Sequence, residues 1–131
     1  GEEEEEEGTI TSLMVASRAR QLEAVEALLE TASGEMRDAQ SAKGCTALHL
    51  AAEEGDARIV AALLEKGASV AHVDEARHSA LMRACFMGHA PCAGLLLEKG
   101  ADVGQANSGG FTAIAFAKDE GLKLLLRQAG A

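Results

Sequence analysis

Seven side chains of the sequence belong to the types that most often serve as nucleophiles, general bases or metal ligands. They are Cys45, Cys85, Cys92, His49, His72, His78 and His89. No C-x-x-C pair, H-E-x-x-H motif, phosphate-binding loop or nucleophile elbow accompanies them. Cys45 and His78 with nearby His72 fall short of a structural zinc site, which needs four closely spaced ligands. The sequence therefore predicts no enzyme, no metal site and no cofactor.

The segments that must position these side chains recur along the chain. The run T-A-L-H-L-A-A at residues 46–52 returns after 33 residues as S-A-L-M-R-A-C at 79–85. It returns after 33 more as T-A-I-A-F-A-K at 112–118, and a worn first copy stands at 11–17. A period of this length is typical of a repeat array, in which similar units stack on one another.

Within one unit, the spacing of apolar residues predicts two short helices joined by a tight turn. Residues 48–52 and residues 59–64 each carry an apolar helical face. Gly55 stands between them, where the end of a helix favours a positive φ. Residues 69–78 are then predicted to form an extended β-turn finger. We expect Cys85 and Cys92, which fall on the two helices of one unit, to be buried.

These motifs resemble the ankyrin repeat in the signature at 46–52, the turn K-G-C-T at 43–46, Gly88-His89 and the run L-L-L-E-K-G-A-D-V at 95–103. The resemblance implies an all-α solenoid of stacked helix-turn-helix units with short β-turn fingers. It covers residues 9–131, in four repeats at about 9–40, 41–73, 74–106 and 107–131. The first repeat is worn, and the last is a shortened C-terminal cap.

Several positions depart from the family pattern. Alanine replaces the signature proline at Ala47, Ala80 and Ala113, the signature histidine is lost at Met82 and Ala115, and Arg77 stands where the finger usually has glycine. Losing a proline that fits its φ costs about 0.4 to 1 kcal/mol. We therefore expect a moderately stable array, with His49 and His89 in structural roles.

Charge limits the classes of partner. The net charge is −9, and Glu2 to Glu7 supply six of those charges. Because such a run repels itself and buries nothing, residues 1–8 are predicted to be a disordered acidic tail. No basic stripe offsets it, so we expect no binding to nucleic acid.

Compartment is predicted from the cysteines and from the absence of targeting signals. Three cysteines without a disulfide framework favour a cytoplasmic or nuclear protein. No apolar run approaches the roughly 18 to 20 residues of a membrane span, and no signal-like start is present. Since the chain opens with Gly1 rather than Met, we expect it to be a fragment of a longer protein.

The resemblance implies a protein-binding surface on the concave side, made of finger tips and first-helix edges. The tips are Ala42, Lys43, Cys45, Glu75, Ala76, His78, Ser108, Gly109 and Phe111, and the edges are Arg18, Ala19, Glu53, Glu54, Phe86, Met87, Asp119 and Glu120. From these rows the predicted partner-binding residues are Cys45, Glu53, Glu54, Glu75, His78, Phe86, Met87 and Phe111. The array is expected to be a monomer by itself.

Two chemical features of these rows suggest a ligand. Phe86 and Met87 either anchor an apolar group of a partner or pack sideways onto the next repeat as core. Glu53, Glu54 and Asp56 beside Glu75 either receive basic side chains or form a solvated helix end. The resulting hypothesis is a linear peptide that combines an apolar anchor with basic residues.

Three functions follow from the resemblance. The first is an adaptor or scaffold module that recruits a partner for a larger regulatory protein. The second is a structural subunit held permanently in a multiprotein assembly. The third is a targeting segment of an enzyme whose catalytic domain lies elsewhere.

Overall fold

The computed structural model describes residues 12–31, 38–41 and 43–130, and within them the chain forms eight helices. In chain order they are α1 (Ser12–Arg18), α2 (Leu22–Thr31), α3 (Ala47–Glu54), α4 (Ala57–Glu65), α5 (Ala80–Met87), α6 (Ala90–Glu98), α7 (Ala113–Phe116) and α8 (Glu120–Gln128). The acidic tail predicted at 1–8, and residues 32–37 and 42 of the predicted first loop, lie outside the described residues. None of the described helices is long and apolar enough to cross a membrane.

The helices stack in two rows. The odd-numbered helices form one row, in which α1 packs on α3, α3 on α5 and α5 on α7. The even-numbered helices form the second row in the same order, and each odd helix also packs on the even helix that follows it. The predicted all-α array of helix-turn-helix units is confirmed.

The core lies between the two rows and between successive units. Leu48 and Leu81 fill it from the odd row, and Leu63 and Leu96 fill it from the even row. All four are fully buried. Small residues such as Ala51 stand where odd helices meet, so neighbouring units approach closely despite the scarcity of aromatic side chains.

Short polar side chains start the helices. Thr46 and Ser79 accept hydrogen bonds from the backbone N–H groups of His49 and Met82, and Asp56 accepts from Arg58 and Ile59. These bonds satisfy donors that a helix start leaves without partners. They offset part of what is lost with the signature proline.

The predicted β-turn fingers are present and are joined to one another. Val73 and Ser79 form an antiparallel bridge at the base of one finger. The N–H of Glu75 donates to the carbonyl of Lys43 in the preceding finger, at 2.9 Å. The N–H of Ser108 donates to the carbonyl of Ala76 at the same distance. The fingers therefore form a continuous edge along the array.

His49 connects its own helix to the next finger, as the structural role predicts. Its Nδ1 accepts from the N–H of Thr46 at 3.2 Å, and its Nε2 donates to the carbonyl of His78 at 2.9 Å. Burial lowers the pKa of His49 to about 4, although the bond to His78 acts in the opposite direction. His89 likewise places Nε2 3.1 Å from the carbonyl of Glu53.

The last unit differs from the sequence expectation. After α7 the backbone turns outward, with Ala117 at φ −73° and ψ 124°. Asp119 therefore begins α8, where its carboxylate accepts from the N–H of Gly121 at 3.2 Å. The placement of Asp119 and Glu120 on a helix edge was wrong, because about four missing residues end α7 early. The position that corresponds to the edge is left to Lys118 and its surroundings.

Candidate functional site

A pocket of about 220 Å³ opens where the end of α3, the face of α5 and the short α7 meet one finger. Its lining consists of Glu53, His78, Met82, Arg83, Phe86, Met87 and Phe116. Four of the predicted partner-binding residues, Glu53, His78, Phe86 and Met87, are thus brought together. The walls are mainly apolar, and the polar groups lie toward the α3 side.

Phe116 holds the aromatic side chains together. Its ring centroid lies 6.0 Å from that of Phe86 and 6.4 Å from that of Phe111, and both pairs meet edge to face. The ring of His78 approaches it in the same manner at 5.8 Å. Such pairs contribute about 0.5 to 1.5 kcal/mol each beyond burial, so the rings support one another.

The two interpretations of Phe86 are both partly right. Its ring packs on Phe116 of the next unit, yet 55% of the residue is exposed. Met87 beside it is 48% exposed, and Phe111 at the finger is 55% exposed. Large apolar residues that remain exposed side by side are typical of interaction surfaces.

Phe116 was not among the predicted site residues, although the repeats contain a signal for it. It occupies the same signature position as Leu50 and Arg83, at offsets of 33 residues. Leu50 is buried, so this position resembles interior in the clearest repeat. In the last unit the short α7 leaves Phe116 only partly buried beside the pocket.

Arg83 links three polar groups at the floor of the pocket. Its Nη1 donates to Oε1 of Glu53 at 3.2 Å, and its Nη2 donates to Oδ2 of Asp74 at 2.8 Å. Burial alone would raise the pKa of Asp74, but hydrogen bonds from Arg83 and from the backbone of His78 hold it below its usual value. The floor is therefore an ion-pair network, with Asp74 as its buried anion.

Two predicted positions are less accessible than expected. Cys45 was placed at a finger tip, but it is only 8% exposed because its Sγ lies 3.0 Å from Nη2 of Arg83. Asp56 was considered as a receiver of basic groups, but it is buried. It caps α4 and pairs with Arg58 at 3.1 Å. The hydrogen bond from Arg58 is the main cause that lowers the pKa of Asp56.

The other predicted residues lie on the surface around the pocket. Glu75 is exposed at the turn of its finger, and Glu54 follows Glu53 at the end of α3. Among the described residues, neither Glu54 nor Glu75 forms a salt bridge. On the far side, Nζ of Lys118 lies 5.3 Å from the ring centroid of Phe86.

The chemistry of the remaining candidates is limited. Cys85 and Cys92 are fully buried, and burial raises the pKa of their thiols to about 12 and about 11. Thiols that stay protonated are poor nucleophiles and poor ligands. In the part of the chain that the structure describes, no three His, Cys, Asp or Glu residues are grouped to hold a metal ion.

Comparison with known proteins identifies a family. A family model described as ankyrin repeats matches residues 13–107 in three copies, which is well over half of the chain. A search of curated proteins finds no match.

Proposed function

The chain belongs to the ankyrin repeat family, whose repeats are in general protein–protein interaction modules, and we propose that it binds a linear segment of a partner protein through the pocket between α3, α5 and α7. In this proposal the array is the recruiting part of a larger regulatory protein. It works as a monomer on its concave side.

The observation that carries the proposal is the exposed aromatic pocket itself. Phe86 and Met87 leave about half of their surfaces uncovered, although the rings of Phe86 and Phe116 are already fixed by contact with each other. Burying apolar surface yields roughly 25 cal/mol per Å², and preformed walls require little further ordering of side chains. One apolar side chain of a partner would therefore find a preorganised pocket.

The α3 side of the pocket favours a basic neighbour of that anchor. Glu53 and Glu54 stand together at the end of α3, and the last turn of α3 adds the negative end of the helix dipole. Glu53 already pairs with Arg83, but Arg83 retains the closer carboxylate of Asp74. A lysine or arginine of the partner could then bind Glu53 and Glu54 without leaving Arg83 unpaired.

We further propose that the array operates in a reducing compartment, the cytoplasm or the nucleus. Cys45, Cys85 and Cys92 are all free and buried, and their packing requires neither disulfide nor metal. Disulfides are rare in such compartments, which suits three unpaired thiols.

Selection from a display library of short random peptides tests the proposal. The immobilised chain should enrich peptides that share one bulky apolar residue near a basic residue. Phe86→Ala should weaken binding of the selected peptides about tenfold or more, since truncating an anchor residue typically costs 1 kcal/mol or more, about 1.4 kcal/mol being tenfold. Binding should be measured by fluorescence anisotropy.

Leu124 provides the matched control. It is 54% exposed, close to the value for Phe86, but it lies on α8 and does not line the pocket. Leu124→Ala should leave peptide binding unchanged. The proposal is wrong if no peptide is enriched, or if the enriched peptides lose as much affinity with Leu124→Ala as with Phe86→Ala.

A further inference from the structure

The charges on the two sides of the pocket are of opposite sign. Glu53 and Glu54 end α3 on one side of α5, and Lys118 follows α7 on the other side. Because α5 packs between α3 and α7, the pocket walls of Phe86 and Met87 lie between the carboxylates and the ammonium group. The order along the array is therefore negative, apolar, positive.

Lys118 is well placed to receive an anion. Its ammonium group lies 5.3 Å above the ring of Phe86, a cation–π contact that keeps it beside the pocket. Among the described residues it forms no salt bridge, since Asp119 caps α8 and Glu120 pairs with Lys123. In the preceding repeats this position holds Ala52 and Cys85, which are fully buried. The exposed charge is thus particular to the last repeat.

On the basis of the proposed function, we infer that the partner segment carries a basic residue on the α3 side of its apolar anchor and an acidic residue on the α7 side. Packed helices lie about 8 to 10 Å apart, and an extended chain rises about 3.3 Å per residue. Each charge should therefore lie about three residues from the anchor. Either chain direction satisfies this order of charges.

Designed peptides test the order of charges on the full chain. The first peptide has a phenylalanine with a lysine about three residues to one side and a glutamate about three residues to the other. A second has the same composition with both charges on one side, and a third has lysine on both sides. Exposed pairs contribute about 0.2 to 1 kcal/mol, so the first peptide should bind about two- to fivefold more tightly than the others at low salt.

Reversing one charge of the protein should reverse the preference. Lys118→Glu should make the doubly basic peptide the tightest ligand, because both sides of the pocket are then acidic. Lys66→Glu is the matched control, since Lys66 is exposed at the end of α4 and does not line the pocket. It should leave the order of affinities unchanged. Salt at about 0.5 M should remove the differences between peptides by screening.

The possible outcomes separate this inference from the proposed function. If all three peptides bind equally and all depend on Phe86, the order of charges is wrong and the pocket remains the binding site. If none binds, or if binding does not depend on Phe86, the proposed function fails and the inference fails with it. A preference that Lys66→Glu changes as much as Lys118→Glu would also overturn the inference.

Discussion

At the scale of single residues, the side chains that face the partner side differ in how freely they can act. Arg83 is held by Glu53, Asp74 and Cys45, so its charge is used within the fold. Phe86 and Lys118 are held by contacts that leave a surface open. Recognition should therefore depend on the second group, and stability on the first.

His49 gives a prediction for the dependence of stability on pH. Its Nδ1 must stay unprotonated to accept from Thr46, and burial lowers its pKa to about 4. Because the folded pKa lies below the unfolded value of about 6.5, its contribution is fully present above pH 6.5 and is lost as the pH falls toward 4. Between pH 7 and pH 4.5 the free energy of unfolding should fall by about 2 kcal/mol through this residue.

Urea unfolding of two variants checks this prediction. His49→Gln should be destabilised at pH 7, and it should lose much of the decrease between pH 7 and pH 4.5. His72→Gln is the control, because His72 lies in the same array and is only partly buried. An equal pH dependence in the wild type and in His49→Gln would contradict the role assigned to His49.

At the scale of elements, the glycines that end α3 and α5 have equal backbones but different surroundings. Gly55 has φ +79° and Gly88 has φ +78°. A Cβ on Gly55 would lie 2.6 Å from ring atoms of His89, whereas a Cβ on Gly88 would meet nothing within 4 Å. The turn after α3 is thus also a contact between neighbouring repeats.

Gly88→Ala should cost about 1 to 2 kcal/mol, the strain of a left-handed alanine. Gly55→Ala should cost about 1 kcal/mol more, because it must displace His89 from its hydrogen bond to Glu53. Chemical denaturation of both variants measures the difference. Equal losses would show that His89 does not connect the repeats.

The finger turns offer a stabilising change. Gly44, Arg77 and Gly110 occupy the same place in three fingers, with φ values of 83°, 64° and 83°. Arg77 is exposed and bears the strain that glycine avoids. Arg77→Gly should stabilise the array by about 0.5 to 1 kcal/mol, after the greater freedom of glycine in the unfolded chain is subtracted.

Thermal unfolding tests the sign. Arg77→Gly should raise Tm, and Gly110→Ala should lower it, since it introduces at the next finger the strain that Arg77→Gly removes. A lower Tm for Arg77→Gly would mean that the arginine side chain makes a stabilising contact that outweighs its backbone strain.

The repeat period was sufficient to predict the helix pairs, the fingers and the roles of His49 and Gly55, because each recurs at a fixed offset and is set by local backbone requirements. Phe116 and Lys118 could not be placed in this manner. Their positions are interior in earlier repeats, where Leu50 and Ala52 are buried. Only the early end of α7 shows that the last unit turns these two side chains toward Phe86.

At the scale of the whole molecule, the array is stabilised mainly by contacts between neighbouring units. The last unit has only one neighbour among the described residues, and α7 is four residues long. Amides of α7 and α8 should therefore exchange with solvent faster than those of α3 to α6. Hydrogen exchange measures this directly, and uniform protection along the array would contradict it.

The pocket depends on that last unit, because Phe116 belongs to α7. Leu126 on α8 is fully buried and lies outside the pocket lining. Leu126→Ala should cost about 2 to 5 kcal/mol, speed exchange in α7 and α8, and weaken binding of a Phe86-dependent peptide. Unchanged affinity at increased exchange would show that the pocket does not require a docked last unit.

The central claim is that a partner's apolar side chain enters the pocket between α3, α5 and α7. Its most direct test is a titration of the methyl-labelled chain with a selected peptide, observed through the methionine methyl signals in an NMR spectrum. Met82 and Met87 line the pocket, and Met14 is buried in the first unit. We predict that the signals of Met82 and Met87 shift on saturation while that of Met14 stays in place. A peptide that binds while the Met82 and Met87 signals remain unchanged would contradict the claim.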